Sequence, residues 1–200
     1  MEVQVNQNVR EVRKEELKEM FNRTSESVRV VALLSPRCPE CQRGHDVVKA
    51  LFGRFHSDQL RGVRVWLPMY PGDGLGVAEA EAAAFKDPRL VDAWDPQRRL
   101  GELFAHTLGL TKTAWDVYLL YAPGIRWEGD DPPEPTFWMH QLRGSYGADP
   151  ARFLDPDVLA RNLDAILAGD EEQVDGSPSR KRVSPACDCC SGVQVPRRWV

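Results

Sequence analysis

Five cysteines carry the chemistry open to this sequence, and they fall into two groups. Cys38 and Cys41 form a C-x-x-C in SPRCPECQRG, while Cys187, Cys189 and Cys190 crowd into SPACDCCSG near the other end. Two thiols one helical turn apart suit dithiol–disulfide exchange. One thiolate attacks a disulfide, and its neighbour resolves the mixed disulfide. Closely spaced thiols also suit soft cations, Cu(I) or Zn(II) and, by the same softness, Hg(II) or As(III). A structural zinc site made from Cys38 and Cys41 alone is disfavoured, because zinc wants four ligands.

The elements around the first pair strengthen the exchange reading. Residues 28–34 (VRVVALL) read as a short buried strand, ended by Ser35-Pro36. Residues 39–56 read as a helix with Pro39 in its first turn and Val47, Val48, Leu51, Phe52 and Phe55 facing a core. Cys38 therefore stands at a helix N-terminus. There, unpaired N–H groups and the positive end of the helix dipole favour its thiolate. Cys38 is expected to be the exposed attacking thiol and Cys41, deeper by one turn, the resolving one.

The remaining pattern alternates helices and strands. A helix is expected over 8–22, a strand over 63–69 and helices over 76–86 and 96–108, the last with Asp95 as N-cap and Pro96 behind it. Strands follow over 115–121 (WDVYLLY) and 136–142, forming a hairpin across the Pro-rich loop APGIRWEGDDPPEP. A helix over 156–168, capped by Asp155, closes a domain of residues 1–169. From 170 to 200 the composition turns to Gly, Ser, Pro and balanced charge without periodicity, which reads as a flexible tail carrying Cys187, Cys189 and Cys190.

The order strand, C-x-x-C, helix, strand, helices, hairpin, helix resembles the thioredoxin-like superfamily over about residues 28–168. The resemblance rests on VVALLSPRCPECQRGHDVVKALF, the hairpin and the terminal helix. It implies an α/β fold with a central mixed sheet of about four strands, helices on both faces and a helical insertion between the second and third strands. It also implies thiol–disulfide exchange with a protein dithiol or disulfide as partner and no bound organic cofactor.

Four departures from the family pattern stand out. Arg37 occupies the place where many members carry Trp, and Pro39-Glu40 replaces Gly-Pro. The family's buried acid six residues before the first cysteine is Ala32 here, and no proline stands at Thr113-Ala114, where the family places a cis-proline. Pro135 is the alternative for that proline if the strand count shifts by one. These departures point to a dedicated partner rather than a general reductase.

Three readings compete for the tail thiols. They exchange with the Cys38–Cys41 pair as a relay, which a tail of this length can reach. They bind a soft metal or metalloid ion such as Zn, alone or together with Cys38 and Cys41. Or the segment has no selected role. A thioredoxin-like interaction scaffold, with Trp- and Pro-rich loops such as DDPPEP presented to a partner, is the further alternative. Packing is the default for the tryptophans: Trp66, Trp115 and Trp138 in strands, Trp94 and Trp127 at or near loops. His45 reads as solvated or capping, and His106 and His140 as partly buried and satisfied.

Net charge and length narrow the classes. A formal charge of -4 over 200 residues makes a dedicated nucleic-acid surface unexpected. No apolar run is long enough for a membrane span. The charged opening MEVQVNQNVREVRKEELKEMF shows no apolar signal core, so a reducing, cytoplasmic location is the expectation. Oligomeric state is not legible.

Overall fold

A strand that is apolar at nearly every position must be buried on both faces. VRVVALL is such a strand, and the sheet is built around it. The computed structural model describes residues 9–170. In chain order its elements are β1 (Arg10–Glu11), α1 (Lys14–Arg23), β2 (Val28–Leu34), α2 (Pro39–Arg54), β3 (Leu60–Trp66), α3 (Leu75–Ala83), β4 (Leu90–Trp94), α4 (Arg99–Thr107), β5 (Val117–Tyr121), β6 (Phe137–His140) and α5 (Pro156–Ala168).

The sheet runs β1-β4-β3-β2-β5-β6. β1, β4, β3 and β2 are parallel neighbours, while β5 is antiparallel to β2 and β6 to β5. Alternation along β2 sorts the core into two layers. Val30, Ala32 and Leu34 pack with Val48, Leu51 and Phe52 of α2 and with Leu159, Leu163 and Ile166 of α5. Val31 and Leu33 pack on the opposite face with Leu17 and Phe21 of α1 and Leu100 and Phe104 of α4. Each such side chain contributes roughly 1.5–3 kcal/mol by leaving water, so both faces hold the central strands firmly.

The sheet has six strands rather than about four. The two additions, β1 and β4, lie on one edge. No strand was read between the helices expected over 76–86 and 96–108, yet LVDAW forms one; its Asp92 is accommodated because Arg64 of β3 pairs with it from the neighbouring strand, Nε to Oδ1 at 2.8 Å. Trp94 consequently sits in a strand and is buried, not at a loop. The first helix begins at Lys14, because the preceding residues extend to pair with β4: Val12 donates its N–H to the Trp94 carbonyl at 3.0 Å.

Other boundaries move for local reasons. β3 starts at Leu60, three residues early, in register with Val28. Asp95 accepts N–H bonds from Gln97 and Leu100, but this organises a turn in which Arg98 takes φ 59°, and α4 proper starts at Arg99. The hairpin strands shorten to Val117–Tyr121 and Phe137–His140. Trp127 is buried between Phe21 and Phe104, the packing role expected of it. Trp66 is buried, as expected, while Trp115 precedes its strand and is half-buried. The tail cysteines Cys187, Cys189 and Cys190 lie outside the described residues.

Topology now dictates what meets at the C-terminal end of β2. β5 runs antiparallel to β2 and opens at Val117 opposite Leu33. The residue just before β5 therefore lies beside the turn that leaves β2. β6 ends at His140 opposite Val117, which brings Gln141 to the same end. No described helix is long and apolar enough to cross a membrane.

Candidate active site

The turn Ser35-Pro36-Arg37 carries the chain from β2 into α2, with Cys38 as the N-cap and Pro39 in the first turn. Cys38 is extended, φ -80° and ψ 122°, and its sulfur accepts the N–H of Cys41 at 3.4 Å. A thiolate is the better acceptor for that N–H. Cys41 points inward, and its sulfur accepts the N–H of Ser35 at 3.4 Å.

A second loop is tied to this turn by one carboxylate. Asp73 accepts from the Ser35 hydroxyl at 2.7 Å, from the N–H groups of Met69 and Tyr70 at 2.9 and 2.8 Å, and from the N–H of Arg37 at 3.1 Å. The loop so held brings Tyr70 close to Cys38, and burial and the Cys38 sulfur raise its phenol above its ordinary value. Tyr70 meets the ring of Trp115 at 5.7 Å, and Trp115 Nε1 donates to the Tyr146 hydroxyl at 2.8 Å. The result is an aromatic rim on one side of the thiols.

Beneath the thiols lies an acid. Asp116 is buried, and its carboxylate and the sulfurs of Cys38 and Cys41 all lie within 4.8 Å of one another. Tyr118 donates its hydroxyl to Asp116 Oδ1 at 2.5 Å, and Gln141 Nε2 donates to the same oxygen at 3.0 Å. Gln141 also donates to the Glu40 carbonyl at 2.7 Å, linking the acid to α2. Two packing features hold this layer. A Cβ on Gly44 would collide with the Tyr118 hydroxyl, so α2 can seat here only with glycine at that position. A Cβ on Gly101 would come 2.8 Å from the Ala114 carbonyl oxygen, so α4 presses on the segment leading to Asp116.

The protons of these groups are unequal. The bond from Cys41 to the Cys38 sulfur holds the Cys38 thiol below its ordinary value, against burial and the Asp116 charge. Burial, the bond given to Cys38 and the Asp116 charge push Cys41 well above its ordinary value. Burial raises Asp116, while the bonds from Tyr118, Gln141 and Cys41 oppose the shift. Glu40 is lowered by its own backbone and by a contact with the Cys38 sulfur at 3.5 Å. One thiol is thus primed as a nucleophile, and its neighbour keeps its proton beside a buried acid.

Several expectations change here. Cys38 is not the exposed thiol of the pair: it is as buried as Cys41, each 1% exposed. Ala32 is indeed no acid, but a carboxylate approaches the thiols from the neighbouring segment that leads into β5, at Asp116. Thr113-Ala114 stand where expected before β5, and the described residues contain no cis peptide bond. Pro135 precedes β6 at the far end of the sheet and does not meet the thiols. Asp116 itself takes φ 53°, a left-handed conformation that Asp and Asn adopt more readily than other side chains.

His45 is buried, not solvated: its Nε2 lies against Arg64 Nη1, away from the sulfurs. His140 is buried and satisfied, bonded to the Asp149 carbonyl at 2.9 Å and the Leu142 N–H at 3.0 Å. His106 is exposed and pairs with Asp131 at 2.7 Å. Asp116, Asp73, Tyr70 and Gln141 were not singled out from the sequence. The available signal was an Asp opening an otherwise apolar strand, WDVYLLY, where a strand interior was read.

The donor set at the thiols is two sulfurs and one carboxylate, already bonded to one another and to Tyr118 and Gln141. That is one donor short of a closed tetrahedral site. Its internal hydrogen bonds suit proton and thiol chemistry.

No protein-family model and no curated protein sequence matches the chain. Solved structures do. The chain is similar to a thioredoxin-like protein whose solution structure is of the oxidized form, with 18% identity, TM-score 0.52, and 80% of this chain and 86% of that one covered. A secreted Mycobacterium tuberculosis disulfide oxidoreductase homologous to E. coli DsbE also matches, at 12% identity and TM-score 0.43 over 70% of this chain and 82% of its own. A hypothetical protein from Sinorhizobium meliloti 1021 matches at 18% identity and TM-score 0.48, covering 73% and 72%. With the sheet order, the helices on both faces and the C-x-x-C at the end of the central strand, the first of these likenesses shows that the chain has the thioredoxin-like fold.

Proposed function

We propose that the protein carries out thiol–disulfide exchange through Cys38 and Cys41. The observation that carries this is the Cys38 sulfur at the start of α2, bonded to the Cys41 N–H and held below its ordinary pKa beside a protonated neighbour. The Cys38 thiolate attacks one sulfur of a partner disulfide, forming Cys38–S–S–R and releasing the other partner sulfur as thiolate. Cys41 then attacks Cys38, forming the Cys38–Cys41 disulfide and releasing R–S⁻, while the Cys41 proton leaves to an acceptor. Two electrons pass from the dithiol to the partner disulfide; the reverse sequence oxidises a partner dithiol.

A protein disulfide or dithiol is the partner class, since the rim of Tyr70, Trp115 and Tyr146 offers side chains to a polypeptide beside the sulfur. The tail thiols Cys187, Cys189 and Cys190 would take or deliver the disulfide in a relay, and soft-metal binding at the same thiols is the rival reading. A cytoplasmic, reducing setting belongs to the same proposal, and cell fractionation tests it.

The test is trapping. Reduced protein carrying Cys41→Ser, incubated with a disulfide-containing substrate, should accumulate a mixed disulfide at Cys38, found by peptide mass. Cys38→Ser should form none. Exchange that persists without Cys38 would overturn the proposal. A relay predicts that replacing Cys187, Cys189 and Cys190 together by Ser slows turnover while leaving the Cys38 adduct intact. Stoichiometric metal that is lost with the same three replacements would instead favour binding.

A further inference from the structure

The structure leaves the Cys41 proton with one evident destination. Cys41 is 1% exposed, and its sulfur contacts the Ser35 N–H, the Cys38 sulfur and the Asp116 carboxylate. Water has no open approach to it. Ala32, on the strand below, offers no acid, but the Asp116 carboxylate, from the segment leading into the neighbouring strand β5, lies within 4.8 Å of the sulfur.

We propose that Asp116 is the proton acceptor for Cys41 in the resolving step, held for that role by Tyr118 and Gln141. This rests on the exchange reading above. As Cys41 attacks the mixed disulfide, its S–H proton passes to the Asp116 carboxylate. The Cys38–Cys41 bond forms, the Cys38–S–R bond breaks, and R–S⁻ leaves with the electron pair. In the reverse sequence, when a partner thiolate attacks Cys38 and opens the Cys38–Cys41 bond, Asp116 returns the proton to the released Cys41. No further reactant is required.

The surroundings fit a shuttle rather than a fixed ion pair. Among the described residues no cation is bonded to the carboxylate; it is held by two neutral donors, the Tyr118 hydroxyl and the Gln141 amide. The titratable groups that face it are Cys38, Cys41 and Glu40 from α2 and Tyr118 from β5. The stretch after β6 faces it with the uncharged Gln141, and Arg143 beyond acts on Glu40 and Tyr70. Burial raises the Asp116 carboxyl, which brings it closer to its thiol donor and makes transfer in both directions easier. The left-handed backbone at Asp116 is the conformational cost of aiming the carboxylate at the thiols.

The experiment separates the two steps. Reduced protein with Cys187, Cys189 and Cys190 replaced by Ser is mixed in a stopped-flow cell with a symmetric aromatic disulfide whose released thiolate absorbs. The first thiolate reports attack by Cys38 and the second reports resolution by Cys41. Asp116→Asn keeps an acceptor oxygen for Tyr118 and suits the left-handed backbone. The first release should be as fast as before or faster, because the carboxylate opposing a thiolate at Cys38 is gone. The second should slow at least about tenfold near neutral pH and recover as pH rises and Cys41 ionises unaided.

Tyr118→Phe, which retains the acid but removes a donor that stabilises its anion, should move the acidic limb of the second release to higher pH. It also provides the test if Asp116→Asn does not fold. An unchanged second release and pH profile in both variants would overturn the role of Asp116. If the protein with Asp116 intact releases only one thiolate, or if Cys38→Ser releases both, the exchange reading itself fails.

Discussion

Two buried polar clusters sit on the same face of the sheet, and they differ in how fully their charges are settled. At the thiol cluster, Cys38, Cys41, Asp116 and Tyr118 lie together with no cation bonded among the described residues, the setting for the proton transfer proposed above. At the other, Arg64 forks onto Asp92 with Nε and Nη2 each at 2.8 Å, donates to the Phe85 carbonyl at 2.9 Å and contacts His45. Trp66 Nε1 closes the ring of bonds on Asp92 at 2.8 Å. Here a permanent charge meets a carboxylate and carbonyls with few donors left over. Buried charge alone therefore does not make a candidate active site. What distinguishes the thiol cluster is a nucleophile at a helix start with an unsettled proton next to it.

The comparison predicts a clean separation of effects. Cys38→Ser should abolish exchange, measured with a disulfide substrate, while moving the unfolding midpoint little, because the two side chains are nearly the same size. Arg64→Met should do the reverse. It strands Asp92 and should cost about 3–5 kcal/mol of stability in denaturant unfolding, with Cys38 alkylated at its usual rate in the molecules that remain folded. Loss of both properties in either variant would break the distinction.

A packing change sharpens it further. Gly44→Ala pushes a methyl into the Tyr118 hydroxyl and should cost about 1–3 kcal/mol while also disturbing the bond to Asp116. It is the variant expected to affect both stability and resolution, seen as a lower unfolding midpoint together with a slower second thiolate release.

pH acts on the Arg64 cluster through His45. Burial and the Arg64 charge hold His45 below its ordinary 6.5. The folded state therefore binds its proton less readily than the unfolded chain. The stability this contributes is present above about 6.5 and declines as pH falls through the window below it. Thermal unfolding between pH 7.5 and 5 should show the decline, and His45→Gln should flatten it. The smallest effect belongs to the cover over Cys38: Tyr70→Ala should raise the rate of Cys38 alkylation a few-fold, read by mass, without altering the fold.

The contrast between these clusters also explains what the sequence revealed. The C-x-x-C, the buried strand before it and the helix after it are local patterns: an apolar run closed by Ser-Pro, then a proline in a first turn. They were legible at once, and the proposed order of attack and resolution rests on them. Asp116 was not, because WDVYLLY reads as one strand, and only the antiparallel pairing of β5 with β2 brings its first residues to the thiols. β4 was missed because Asp92 breaks its short apolar run, and its partner Arg64 lies on another strand. His45 looked solvated for the same reason. Each miss is a contact between segments apart in the chain that meet only after the sheet forms.

The central claim is that Cys38 is the primed thiol and Cys41 the protonated one. It is tested most directly by alkylating reduced protein across a pH series and reading each cysteine by peptide mass. The account predicts that Cys38 reacts with a midpoint below the ordinary thiol value and that Cys41 stays silent until well above it. Equal midpoints for the two, or Cys41 reacting first, would contradict it.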